Sequence, residues 1–332
     1  MSILPLEGIL AGVMMISLTL YALMGGADYG GGVWDLLAWG PRAKAQRELI
    51  AEAIGPIWEA NHVWLILVIV VLFTGFPLAF AVIATALHIP LTLMLLGIVL
   101  RGSAFAFRTY GTKEDRIQRR WGRVFSIASL VTPLLLGTVL GAIASGQIRL
   151  KDRWVVADFV RPWLAPFPLA VGLFALVLFA FLAAVYLTLE TEDPELQEDF
   201  RRRALVSAFV VGPVALLVFL LSGTGAPLIR QGLSQSWWTW PLQLSTAVFA
   251  TGAIFALWTR RFHMARFCAA GQITLILWGW GVAQFPYLIV PDITVFNAAA
   301  PTITLRLLLV ALGSGALVLF PSFYYLYRIF KG

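Results

Sequence analysis

Trp58-Glu-Ala-Asn-His-Val-Trp-Leu-Ile-Leu-Val-Ile-Val-Val-Leu-Phe73 sets a carboxylate, an amide, an imidazole and two indoles at the head of an unbroken apolar run. Read together with Ala53-Ile-Gly-Pro-Ile57 and the apolar residues back to Leu49, the stretch is long enough to cross a bilayer as a helix, which takes ~20 residues. An ionisable side chain near the centre of such a helix costs at least ~2.5–3.5 kcal/mol, so it is a candidate for function before it is one for packing. Glu59, Asn61 and His62, flanked by Trp58 and Trp64, are therefore where a functional reading begins.

Working outward, the rest of the chain has the same character. Its 332 residues are 60% hydrophobic and only 12% charged, with a mean hydropathy of +0.86. A soluble domain averages about 25% charged residues. The sequence predicts an all-α polytopic membrane protein, because a lipid-exposed backbone must satisfy its own hydrogen bonds. About nine spans are expected: 4–24 continuing to Ala38, 49–74, 77–100, 124–145, 166–189, 204–223, 242–259, 265–290 and 304–328. No polar linker divides them, so residues 1–332 are expected to form a single transmembrane domain. The first run lacks a positive leader and is expected to be a retained helix. Cys268 is the lone cysteine, which excludes an intrachain disulfide framework.

The distribution of positive charge sets an expected orientation. Lys and Arg number three in 39–48, seven in 101–123, three in 190–203, three in 260–266 and two in 328–332, which is 18 of the 24. The alternate connections hold the other six. Positive residues collect on the cytoplasmic side, so the N-terminus is expected outside and the C-terminus in the cytoplasm. The formal charge of +7 then reports topology and contact with membrane lipid, not nucleic acid. Trp237, Trp238 and Trp240 at one interface, and Tyr324, Tyr325 and Tyr327 at the other, match aromatic belts. Asp193-Pro194 is expected to start a helix.

A second polar stretch closes the first span, Met24-Gly-Gly-Ala-Asp-Tyr-Gly-Gly-Gly-Val-Trp-Asp35. Its glycines suit close helix packing, which leaves the acid among them unexplained. Asp28 lies ten residues before Ala38 and Glu59 ten after Leu49; at 1.5 Å per residue both fall ~15 Å from the cytoplasmic boundary. Asp35 repeats the face of Asp28 two turns on, and Arg101 and Arg108 repeat that spacing. Arg101 is the expected partner of Asp28 or Glu59, since a lone ion in hydrocarbon costs far more than a paired one. Either a structural ion pair or a proton-conducting carboxylate accounts for this set. The three histidines, His62, His88 and His263, do not group as a zinc site would require. No metal site is expected, His88 reads as a core histidine, and nothing builds a haem site.

Gly26-Ala-Asp-Tyr-Gly-Gly-Gly32, Gly55-Pro-Ile-Trp-Glu-Ala-Asn-His-Val-Trp-Leu-Ile66 and Arg101 after a third apolar span resemble subunit II of the cytochrome bd-type quinol oxidases, the cyanide-insensitive branch included. The resemblance covers the chain in outline, and its specific motifs lie within 24–108. It implies two four-helix bundles plus one peripheral helix in a bacterial cytoplasmic (inner) membrane. It also implies a haem-carrying subunit I that holds haem b and haem d and oxidises quinol while dioxygen is reduced to water. Carried over residue by residue, Glu59 and Asp28 are the acids of a proton route, supported by Arg101, Trp58, Asn61, His62, Asp35 and Arg108. Trp64 matches the start of an oxygen path in some members. Some members hold a structural quinone, and the resemblance leaves room for a small accessory subunit. Two departures stand out: Glu59 replaces an Asp of some members, and Ala106 stands where some carry a further acid. Taken alone, the residues also leave open a proton-coupled secondary transporter or an inert scaffold.

Overall fold

The computed structural model describes residues 5–55, 57–110, 115–151, 154–156 and 158–331. Pro56 and the side chain of Tyr327, both singled out in the sequence, lie outside the described residues.

Helices carry nearly all of the chain. α1 (Leu6–Leu36) is followed by α2 (Ala43–Ile54), α3 (Trp58–Asn61), α4 (Val63–Gly75), α5 (Pro77–Ala86), α6 (His88–Tyr110) and α7 (Asp115–Ala144). After the hairpin of β1 (Arg149–Lys151) and β2 (Trp154–Val156) come α8 (Arg161–Leu164), α9 (Pro166–Leu187), α10 (Pro194–Gly225), α11 (Pro227–Gln235), α12 (Thr239–Trp258) and α13 (Phe262–Gln284). A second hairpin, β3 (Tyr287–Ile289) with β4 (Ile293–Thr294), leads into α14 (Thr302–Lys331). Among the described residues, eight helical segments are long and apolar enough to cross a membrane. The remaining expected span, 265–290, forms α13; its 23 residues are long enough, at ~1.5 Å each, to cross the ~30 Å core.

The helices pack as two groups of four. α1, α4, α6 and α7 form the first, α9, α10, α12 and α13 the second, and α14 lies outside against α1 and α4. The glycines of α1 make the junction between the groups and one contact within the first. A Cβ at Gly30 would strike the Phe179 carbonyl of α9 and one at Gly26 the Phe179 ring, while one at Gly32 would strike the Ser129 side chain of α7 in the same group. Trp34 closes the seam by donating its Nε1 hydrogen to the Ala180 carbonyl at 2.7 Å. Close packing is the use expected of these glycines.

The second expected span differs from its reading. A continuous helix from Leu49 was expected, but the chain forms α2, with turns at Gly55 and Ile57, adds the single turn α3 and only then enters α4. Gly55-Pro56 supplies the reason, since proline has no N–H for the helical ladder and crowds the preceding turn. The helix of the span proper covers Trp58–Gly75, which puts Glu59 near one end of it.

Charged residues tie one end of the molecule. Arg42, between α1 and α2, holds Asp199 at 2.7 Å and Glu195 at 2.9 Å at the start of α10, and these carboxylates, Asp199 first, hold its proton more tightly than usual. Arg260 and Arg201 share Glu198. Asp193 caps α10 as expected, accepting from the Glu195 amide at 2.8 Å, with Pro194 in the first turn. At the opposite end Arg149 meets Asp292 at 3.3 Å. There Asp158 accepts from the Val160 and Arg161 amides, which hold its carboxyl below the usual range.

Candidate functional site

The polar interior forms where α1 faces the α3–α4 junction. Asp28 is buried on α1, and its Oδ2 accepts a hydrogen bond from Asn61 Nδ2 at 2.7 Å. Asp28 and the 59–61 turn therefore share a level, as expected, but the residue that reaches the acid is Asn61. Glu59 points the other way. It is exposed, and among the described residues it forms no ion pair. The expected face-to-face pair of acids is thus replaced by an acid and an amide, because a residue two positions along a helical turn projects from the far side. Counting fourteen residues from Asn61 to Gly75 along α4 places the Asp28 level ~21 Å from that end of the span.

Arg101 is 1% exposed and sits in a cage of rings. Its guanidinium carbon lies 4.7 Å from the Tyr29 centroid, 5.2 Å from Phe125 and 6.0 Å from Trp58, within the range of cation–π attraction. Its Nε donates to Ser129 Oγ at 3.1 Å, and that hydroxyl donates in turn to the Phe125 carbonyl. Partnership of Arg101 with Glu59, one of the two expected for it, is overturned by the outward turn of Glu59. His62 occupies the other side of Tyr29, stacked at 6.0 Å, with Tyr21 at 5.9 Å and Trp58 at 6.0 Å. Tyr21 donates to the Tyr29 hydroxyl at 3.2 Å.

Several polar atoms here have no hydrogen-bond partner among the described residues: both ring nitrogens of His62, Arg101 Nη2 and Trp64 Nε1. A buried polar atom left unsatisfied costs ~1–3 kcal/mol. Trp64 is covered by α14, its ring 5.3 Å from Phe323 and 6.2 Å from Phe320.

Two turns along α1 the same residue types are bound more firmly. Asp35 accepts from Arg108 Nη1 at 2.8 Å and from Ser126 Oγ at 2.7 Å. The paired spacing of Asp28 and Asp35 with Arg101 and Arg108 is realised here as an ion pair. Ala106 is exposed on α6. His88 is exposed too, its Nδ1 2.9 Å from the Thr85 carbonyl, because it opens α6 at the end of the bundle; the core placement expected of it does not hold. Among the described residues no three His, Cys, Asp or Glu side chains gather as metal ligands.

Tyr21, Tyr29, Phe125 and Ser129 were not singled out from the sequence. Tyr21 and Asp28 are seven residues apart on one helix, and Tyr29 follows Asp28, a spacing that puts both phenols beside the acid. Phe125 and Ser129 carry no such signal, since only tertiary packing brings α7 to Arg101.

Comparison with known proteins agrees with this architecture. The sequence profile of the family described as Cytochrome bd terminal oxidase subunit II matches residues 6–330. Cytochrome bd ubiquinol oxidase subunit 2 of Bacillus subtilis (strain 168) is 26% identical over 290 residues, covering 83% of this chain and 80% of that protein. Cytochrome bd-I ubiquinol oxidase subunit 2 of Escherichia coli (strain K12) is 27% identical over 218 residues, 65% of this chain and 55% of the relative. The fold superposes on a chain of the bd oxidase from Geobacillus thermodenitrificans with a TM-score of 0.78 at 24% identity, covering 98% of each chain. Nothing found supports the transporter reading. The chain belongs to the cytochrome bd terminal oxidase subunit II family, and it serves as a membrane subunit of a complex that oxidises quinol and reduces dioxygen.

Proposed function

We propose that residues 1–332 act as one transmembrane domain, free of haem, that docks on a haem-carrying subunit I and delivers protons to the site of oxygen reduction. Haem b, haem d and the quinol site belong to that partner in this reading. The surroundings of the three histidines support a subunit free of haem. His62 is walled in by Tyr21, Tyr29 and Trp58, the His88 Nδ1 is engaged with the Thr85 carbonyl, and His263 is exposed on the first turn of α13.

The observation that carries the proposal is the buried Asp28 accepting from the neutral amide of Asn61. Burial favours the neutral acid and nearby positive charge favours the anion; Asp28 is buried, with Arg101 against the neighbouring Tyr29 ring, and this setting supports a carboxyl that takes part in proton transfer. Glu59 suits the next step. A carboxylate on the outer face of a membrane-spanning segment is costly against lipid, which supports its being covered by subunit I, where a proton could cross between chains. The arginine-rich end that joins α1, α10 and α13 supports placing the C-terminus in the cytoplasm and the N-terminus outside, in a bacterial inner membrane.

Two finer assignments follow the geometry. An oxygen path at Trp64 would run between α4 and α14, where Phe320 and Phe323 cover the indole. An apolar cavity of about 450 Å3, lined by Leu18, Phe174, Leu242, Ile276 and Trp280 among others, has room for part of a structural quinone. The outer face of α14, the least buried of the spans, is available to lipid or to a small accessory subunit.

The test is turnover of the assembled complex carrying Asp28→Asn or Glu59→Gln. Quinol-dependent oxygen uptake should fall on the order of 10²-fold, the scale of a lost proton-transfer group, while the reduced-minus-oxidised haem spectrum is kept. Full turnover in both variants would reject the proton-delivery role.

A further inference from the structure

At the arginine-rich end, where α1 turns into α2 against the start of α10, lies a cavity of about 360 Å3. Its walls hold three arginines, Arg42, Arg202 and Arg203, against one carboxylate, Asp199. That acid is already engaged. Arg42 binds it through Nε at 2.9 Å and Nη2 at 2.7 Å, and Gln46 Nε2 donates to it at 2.8 Å. Arg203 is left with a neutral partner, donating from Nη2 to Gln46 Oε1 at 2.6 Å. Its guanidinium lies 5.4 Å from the Trp34 ring and 5.1 Å from Phe200. Among the described residues Arg203 forms no ion pair, and its buried Nη1 has no hydrogen-bond partner. Arg202 is exposed and held through Nε by Glu198 at 3.0 Å.

The surroundings put this cavity at the headgroup level of a bilayer. Arg201, Arg202 and Arg203 are followed directly by the apolar run 204–221, and the exposed Trp39 stands in the cavity wall, as interfacial tryptophans do. From Val206, also in the wall, an exposed apolar stripe runs along α10 through Phe209, Val210, Leu217 and Leu220, spaced to share one helical face. We propose that the cavity is a binding site for one anionic phospholipid, with its phosphodiester beside Arg203 and Arg202 and its acyl chains along the α10 stripe. Guanidinium groups suit phosphate oxygens in charge and geometry, and Arg203 has no anion of its own. A free phosphate ion would meet the same arginines, but the apolar stripe continuous with them favours the lipid. Since the cavity joins the α1–α2 turn to α10, the lipid would also bridge the two helix groups.

The experiment uses the complete complex in detergent and a phosphatidylglycerol that carries a diazirine on one acyl chain. Illumination should place the crosslink, mapped by peptide mass spectrometry, within residues 206–220. Unlabelled phosphatidylglycerol should compete at least ~10-fold better than zwitterionic phosphatidylcholine, because each basic residue at the surface favours an anionic headgroup. Arg202→Gln combined with Arg203→Gln should weaken labelling at least ~10-fold, the scale of one lost charged hydrogen bond. Arg202→Gln alone, at the exposed position, should weaken it several-fold and takes the place of the double variant if that fails to assemble. Competition by inorganic phosphate equal to that by phosphatidylglycerol would make the cavity a site for a free anion and overturn the lipid. A crosslink that avoids α10, equal competition by the zwitterionic lipid, or labelling unchanged in the variants would each overturn it as well.

Discussion

Asp28 and Asp35 occupy the same face of α1 two turns apart, and each has an arginine of α6 near its level. At the lower level the acid takes a guanidinium at 2.8 Å and a serine hydroxyl at 2.7 Å. At the upper level the acid takes an amide, while the arginine goes to Ser129 and three aromatic rings. The residue types repeat and the chemistry does not. On the reading proposed above, the lower pair serves as a clamp and the upper set as a proton site.

The comparison can be broken most sharply at Arg101. Arg101→Leu removes the cation from the ring cage and should cost ~3–5 kcal/mol, from desolvated cation–π contacts of ~2 kcal/mol and a charged hydrogen bond of ~1.5–3 kcal/mol; Arg101→Lys should recover much of it. Yield and thermal midpoint of the purified complex check this, and equal midpoints for the two variants would show that the cage does not need a cation. Next in size is Gly30→Ala, between the two levels, whose methyl would strike the Phe179 carbonyl. Overpacking of that kind costs ~1–3 kcal/mol, visible as a lowered midpoint. Asp35→Asn should follow, losing a charged hydrogen bond worth ~1.5–3 kcal/mol while turnover per haem stays near wild type. Asp28→Asn should show the inverse, a nearly unchanged midpoint with turnover lost, and matching behaviour of the two variants would erase the distinction between clamp and proton site. Smallest is Glu59→Gln, which should shift stability by less than ~0.5 kcal/mol because the side chain is exposed, even as it lowers oxygen uptake.

The membrane-spanning helices were the most legible part of the sequence. Apolar runs located most of them, and Asp193-Pro194 marked the start of α10. That Asp28 and the 59–61 turn share a level was legible too, since a long helix has a constant rise. The partner of Asp28 was not. It depended on whether 49–74 was one helix or three pieces, and the break at 55–57 rotated Asn61 inward and Glu59 outward. Gly55-Pro56 was the available signal, outweighed by the apolar character around it. The ring cage was hidden for a different reason: Phe125 and Ser129 look like ordinary residues of an apolar helix until α7 is set against Arg101.

The glycine seam between α1 and α9 carries a mechanical consequence. With main chain lying against main chain and Trp34 latched to the Ala180 carbonyl, the two halves behave as one keel that resists shear. Sliding one half past the other would have to break that latch and drive the Gly30 backbone into the Phe179 carbonyl at the same time.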